Sequence, residues 1–237
     1  MSSEIKKIYN LLFSVAFSSI GFIAAITVTA LAVREVTTNP YLVGIPNALG
    51  VGGAFVGTQI FDYLQKKYSR MLALANTFFV GAIGGVVCFI SLLTNSFNLL
   101  IVGAFVLGIG QSASLQTRYA SSFIVKEEFR ATALSLAVWF SVFGSVFGPR
   151  LVGQYSSTFK NIFGSELIVA YFIATIGFLL AGFCVIGLTD KSSLLRLPVV
   201  TENTSSKTKL DSKATQLTVL LVVNHFVMVI IMAATPL

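Results

Sequence analysis

Charge is what this sequence has least of. Of its 237 residues only 11% are Asp, Glu, Lys or Arg, against about 25% in a soluble domain. That leaves too little polar surface to cover a water-soluble globule of this size. Cysteine is scarce as well. Cys88 and Cys184 both lie inside apolar runs, with neither metal-ligand spacing nor a disulfide framework. They read as packing residues, and no metal or cofactor is expected. No G-x-x-x-x-G-K-[ST] stretch occurs, so there is no phosphate-cradling loop of the ATP-binding type. The polar residues 1–7 lead into an apolar run that is too long for a cleaved signal peptide and lacks a small-residue cleavage site. That run is a retained helix. The net charge of +7 does not point to nucleic acid, because Lys and Arg fall in short gaps between apolar runs and form no interleaved basic-aromatic patch.

What is abundant is apolar surface. Hydrophobic residues make up 55% of the chain. They gather into seven runs, at residues 8–33, 41–61, 71–94, 97–125, 131–153, 167–188 and 215–237. A spanning helix needs roughly 20 predominantly apolar residues, and each run meets that. A barrel is excluded, because the runs are continuous and show no period-two alternation. The expected fold class is therefore an all-α membrane protein in the lipid bilayer. The breaks have turn chemistry, with Thr37-Thr38-Asn39-Pro40 after the first run and Thr94-Asn95-Ser96 after the third. These gaps are short, so successive helices are antiparallel. The longest polar stretch, 189–213, is rich in Ser, Thr and Lys and reads as a linker. The expected division is a six-helix domain at 1–188, a linker at 189–214, and the first helix of a further domain at 215–237.

Orientation follows from the basic residues, which are in excess in cytoplasmic loops. With the N-terminus inside, the inner segments hold Lys6, Lys7, Lys66, Lys67, Arg70, Lys126, Arg130, Lys191, Arg196, Lys207, Lys209 and Lys213. The outer side holds only Arg34, Arg150 and Lys160. The linker is then cytoplasmic, in a multi-pass protein of the cell membrane.

Ionisable groups within a span are costly and mark function by default. Arg118 precedes Lys126 by about 12 Å of helix, too deep for easy snorkelling, and no acid in the runs is an obvious partner. It is a candidate for binding an anionic substrate group; the alternative is a structural Arg satisfied by carbonyls. Gln111 shares its helix, and Asn47 on the second helix is a further cavity-lining candidate. Asn224 and His225 sit in the seventh run, and His225 is the single histidine. Its side chain titrates near neutral pH, which suits proton coupling; a packing role is the alternative. Gly144 and Gly148 share a helix face and permit close backbone approach, while Pro149 removes a backbone donor and bends the outer end.

Three stretches carry a family resemblance. Gly144-Ser145-Val146-Phe147-Gly148-Pro149, with Gly153 one place late, resembles the G-x-x-x-G-P-x-x-G motif of antiporter-like members of the Major Facilitator Superfamily. The segment Asp62-Tyr63-Leu64-Gln65-Lys66-Lys67-Tyr68-Ser69-Arg70 stands where that superfamily has G-x-x-x-D-R-x-G-R-R. Asp62 replaces the first Gly and Lys66 replaces the acid, leaving Lys67 and Arg70 as the matching basic positions. Arg118-Tyr119-Ala120-Ser121-Ser122 and Glu127-Glu128-Phe129-Arg130-Ala131-Thr132 resemble one prokaryotic branch. So does His225-Phe226-Val227-Met228-Val229 at the opening of a seventh helix.

The resemblance implies the N-terminal half of a secondary transporter for a small-molecule substrate, working by alternating access with a C-terminal half of the same protein. It places helix four, with Arg118, on the central cavity. Proton-coupled efflux of a small organic solute is the expected activity. The chain stops within an apolar run at Thr235-Pro236-Leu237, which reads as a fragment. Two other readings stay open. One is a stand-alone half that dimerises or is inactive. The other is an intramembrane serine hydrolase built on Ser112 and His225.

Overall fold

A computed structural model describes residues 2–187, apart from 38 and 126, together with residue 220. The chain divides into two compact units, Met1–Leu197 and Pro198–Leu237. The linker and seventh span expected at 189–214 and 215–237 lie outside the described residues, apart from the helical Leu220.

Among the described residues the first unit is six α-helices without a strand. These are α1 (Ser2–Val36), α2 (Ile45–Lys67), α3 (Arg70–Leu93), α4 (Phe97–Ile124), α5 (Arg130–Phe163) and α6 (Ile168–Ile186). Short 3-10 turns at Pro40–Leu42 and Glu127–Phe129 lead into α2 and α5. Local chemistry sets the ends. The Ser69 hydroxyl accepts from the Leu72 amide at 3.3 Å and caps α3. At the turn after α3, Asn95 takes a positive φ of 50°, which Asn tolerates better than most side chains. Gly164 closes α5 at φ 82°, a left-handed position that suits glycine.

Five of these helices are long and apolar enough to cross a membrane: α1, α3, α4, α5 and α6. The second run does not reach that hydropathy. Its glycines and the amides of Asn47 and Gln59 dilute the apolar residues, although the segment is a continuous 23-residue helix. A second correction concerns α5, expected to end at Gly153. It runs on to Phe163 and passes through Pro149 without a break. The polar stretch Gln154, Ser156, Ser157 and Thr158 reads as a loop, but Tyr155, Phe159 and Phe163 recur every turn. Phe159 and Phe163 pack on each other at 5.6 Å, and Phe159 packs on Phe172 of α6 at 5.3 Å. That stripe carries the helix onward. At 34 residues α5 is about 51 Å long, well beyond the roughly 30 Å of a hydrocarbon core.

Helix directions can be read from residue contacts. In the α1–α5 pair Gly144 meets Ser19 and Gly148 meets Ala24, so the two run parallel. In α2–α4, Gly53 meets Phe105 and Gly57 meets Ile109, again parallel. The α1–α6 pair is antiparallel, with Gly21 on Ala174 and Gly177 on Phe17, and so is α3–α4, with Gly81 on Gly110 and Cys88 on Gly103. The helices therefore alternate in direction along the chain. The principal packed pairs are α3·α4, α2·α4, α1·α6, α3·α6 and α1·α5, followed by α1·α4. Exchanging α1–α3 for α4–α6 maps this set of pairs onto itself. Because α1 and α4 point in opposite directions, the two halves form an inverted repeat of the kind found in secondary transporters.

Candidate functional site

The α1–α4 contact differs in chemistry from the rest of the bundle. Ser18 of α1 donates to the Ser114 hydroxyl of α4 at 3.0 Å, and both residues are fully buried. Gln111 and Arg118 flank Ser114 at helical spacings that put all three on one face of α4. On α1, Ser14 lies one turn from Ser18 on the same face, and it is 0% exposed. Since α1 and α4 are antiparallel, Ser14 and Arg118 lie on the same side of the Ser18–Ser114 bond.

This seam holds polar atoms with nothing to bond. The Ser14 Oγ, the Gln111 Oε1 and the Arg118 Nε are buried and have no hydrogen-bond partner. Among the described residues no carboxylate pairs with Arg118. Buried polar groups are nearly always satisfied, and each exception calls for a water, an ion or a function. Elsewhere the hydroxyls are spent locally. Thr117 donates to the Ala113 carbonyl at 2.7 Å and Thr77 to the Ala73 carbonyl at 2.8 Å. Ser112 donates to the Ile109 carbonyl at 2.7 Å and is 1% exposed, covered by Gly57 of α2. A hydroxyl so committed and covered is poorly placed as a nucleophile.

The other sequence candidates do not join this cluster. Asn47 is half-buried in the first turn of α2. Neighbouring Gly50 packs at Ala104, so Asn47 lies at the far end of the α2–α4 pair, about 20 Å or more along the axis from Arg118. Asn224 and His225 lie outside the described residues. The α2–α3 corner holds Asp62, Lys66, Lys67 and Arg70. Asp62 accepts from the Gln65 side-chain amide at 2.9 Å, and lies close enough to Arg70 to act on it electrostatically. The Lys67 ammonium sits 5.6 Å from the Tyr68 ring centroid, and Lys66 is exposed. Arg130 is exposed at the first position of α5.

Of the α5 motif, Gly144 and Gly148 are buried against α1. A Cβ on Gly144 would stand 2.5 Å from the Ser19 Cβ, and one on Gly148 would stand 2.9 Å from the Ile20 carbonyl. Pro149 is exposed. Gly153 has no neighbour within 4 Å of a built Cβ, so it is not a close-approach glycine. One residue of offset turns it about 100° around the helix, away from the face that Gly144 and Gly148 share.

A cavity of about 380 Å³ lies between α1, α5 and α6, lined by residues such as Phe17, Leu151, Phe159, Phe172 and Leu180. It offers dispersion contact to a hydrocarbon and nothing to a charged solute. The polar chemistry is in the α1–α4 seam instead. The serines of that seam were missed by sequence reasoning. Their one signal was the one-turn spacing of Ser14 and Ser18 in an apolar helix.

An alternating bundle of apolar helices with an inverted repeat and a polar seam defines a multi-pass α-helical membrane protein. The chain is 32% identical over 177 residues to YddS of Bacillus subtilis (strain 168), described as an uncharacterized MFS-type transporter; that match covers 75% of this chain and 41% of the relative. It is 28% identical over 235 residues to YdeG of the same organism, described in the same words, covering 93% of this chain and 54% of the relative. The chain belongs to the Major Facilitator Superfamily, and it spans about half the length of the curated relatives it matches. No family model matches the sequence, and no solved structure matches it.

Proposed function

We propose that this chain supplies one six-helix half, residues 1–188, of a secondary transporter that moves a small organic solute across the cell membrane by alternating access. In this reading 189–214 is a cytoplasmic linker and 215–237 opens a C-terminal half, which is the partner. The N-terminus is cytoplasmic, the coupling ion is the proton, with His225 as its acceptor, and the direction is efflux. The observation that carries the reading is Arg118, a guanidinium in an apolar helix with a buried, unpartnered Nε.

Support for a partner half comes from α5. Only 24% of its most apolar window is buried, against 56–61% for the other spanning helices, and Trp139, Val142, Phe143 and Val146 stand exposed. Within a six-helix unit that face has no protein partner of its own, and a second half would cover it.

The test is transport by the full-length protein, normalised to the membrane-inserted amount. A carboxylate takes the Arg fork through two parallel hydrogen bonds, which an ammonium cannot copy. Arg118→Lys is therefore expected to insert normally and to lose transport roughly tenfold or more, and Arg118→Gln to lose more. Normal transport by Arg118→Lys rules the bidentate reading out. Failure of both variants to insert makes Arg118 structural. Orientation is checked separately with single cysteines at 189–213, which impermeant reagents should reach only from the cytoplasmic side.

A further inference from the structure

We propose that Ser14 of α1, with Ser114 and Arg118 of α4, forms a subsite for a small monocarboxylate in the α1–α4 seam. This rests on the reading of Arg118 as the anion receptor and adds the residues that complete it. Three donors are unspent on this seam. The Ser14 hydroxyl has no partner, and neither does the Arg118 Nε–H. The Ser114 hydroxyl accepts from Ser18, which leaves its own proton for another acceptor. Helical spacing and the antiparallel pairing put these donors on facing surfaces, to one side of the Ser18–Ser114 bond.

The chemistry selects the ligand class. The unspent groups are donors, and one of them is cationic, so their complement is an anion. With a single positive charge a monoanion is neutralised, whereas a phosphate dianion would bring an uncompensated charge into a buried seam. A carboxylate has two oxygens in one plane. One set of lone pairs matches the guanidinium fork, and the others can accept from the two hydroxyls. Ser14 is fully buried, so this arrangement is the occluded one, and the ligand enters when α1 and α4 part.

Ser14 admits an unusual test, because its hydroxyl costs stability where it stands. Removing an unsatisfied buried hydroxyl is neutral or stabilising, while removing a hydrogen bond to a charged ligand weakens binding. A serine retained for packing alone would do neither. Ser19 is the control: its Oγ is also buried and unpartnered, but it faces Gly144 of α5.

The experiment follows thermal unfolding of the full chain in detergent by the fluorescence of its single Trp, Trp139, in sodium acetate against sodium chloride at equal ionic strength. Acetate is expected to raise the midpoint of the wild type. Ser14→Ala should unfold no earlier than the wild type without acetate, yet need roughly tenfold more acetate for the same shift, while Ser19→Ala responds as the wild type does. If Arg118→Gln loses the acetate response and Ser14→Ala keeps it in full, the subsite is wrong and the reading of Arg118 stands. Should Arg118→Gln bind acetate normally, both fall. Equal weakening by Ser14→Ala and Ser19→Ala marks a loosened core and overturns the role of Ser14. No difference between acetate and chloride on the wild type overturns the carboxylate class.

Discussion

Helix α4 is closed on two sides by glycine and on a third by serine. Against α2 and α3 the backbones touch: a Cβ on Gly53 would overlap the Phe105 carbonyl, one on Gly108 the Gly50 carbonyl, and one on Gly84 the Leu107 amide. Against α1 the contact is a chain of hydroxyls with donors to spare. In a bilayer, helix association is driven by close packing and by polar contacts rather than by burial of apolar surface. The first two seams use packing and have a single closed arrangement. The third has polar groups that water or a ligand can satisfy equally well, so it can open at little cost. Rigidity and function are thus divided between faces of one helix.

Substitutions at the seams would sharpen or break that contrast. The largest effect is expected at Gly53. Leu there must displace a backbone carbonyl and should destabilise by about 3 kcal/mol or more, seen as loss of folded protein after membrane extraction. Normal yield from Gly53→Leu would mean the α2–α4 seam is not rigid. Next comes Gly148→Leu, whose Cβ would meet the Ile20 carbonyl at 2.9 Å. A loss of about 1–3 kcal/mol is expected, with Val138→Leu, at an exposed position of the same helix, as the control. Equal melting of these two would remove the α1–α5 packing argument. Ser18→Ala deletes the one bond across the α1–α4 seam and should cost only about 0.6 kcal/mol; a loss as large as that at Gly53 would make the seam structural. Gly153→Leu is expected to change stability by no more than about 0.5 kcal/mol, because nothing lies within 4 Å. Destabilisation there would restore it to the packing motif.

The internal repeat sharpens the comparison again. The exchange that carries α1–α3 onto α4–α6 carries the α2–α4 pair onto the α5–α1 pair. Both are parallel pairs closed by glycines, yet α2 falls short of the spanning hydropathy and α5 exceeds the spanning length. The same packing device thus holds a helix diluted with amides and one extended by an aromatic stripe. The bundle geometry tolerates that difference because the glycine contacts fix only the crossing region, not the ends.

By itself the sequence determined the class. Runs of apolar residues this long, with so little charge, satisfy their backbone hydrogen bonds internally only as helices in lipid, and they read directly off the residue order. It also singled out Arg118 and Gln111, since a charge or amide in such a run stands out against its neighbours. Helix five was misjudged at Gly153 because a Ser-rich stretch reads as loop until Phe159 is seen packing on Phe172. Which residues face Arg118 was decided only by the tertiary structure. Ser14 and Ser114 are 100 positions apart in the chain, and a serine in an apolar run is locally unremarked because it can return its proton to a nearby carbonyl of its own helix. Whether it does so, or leaves a donor unspent across a seam, depends on the neighbouring helix that closes over it, and that neighbour is set by packing rather than by sequence order.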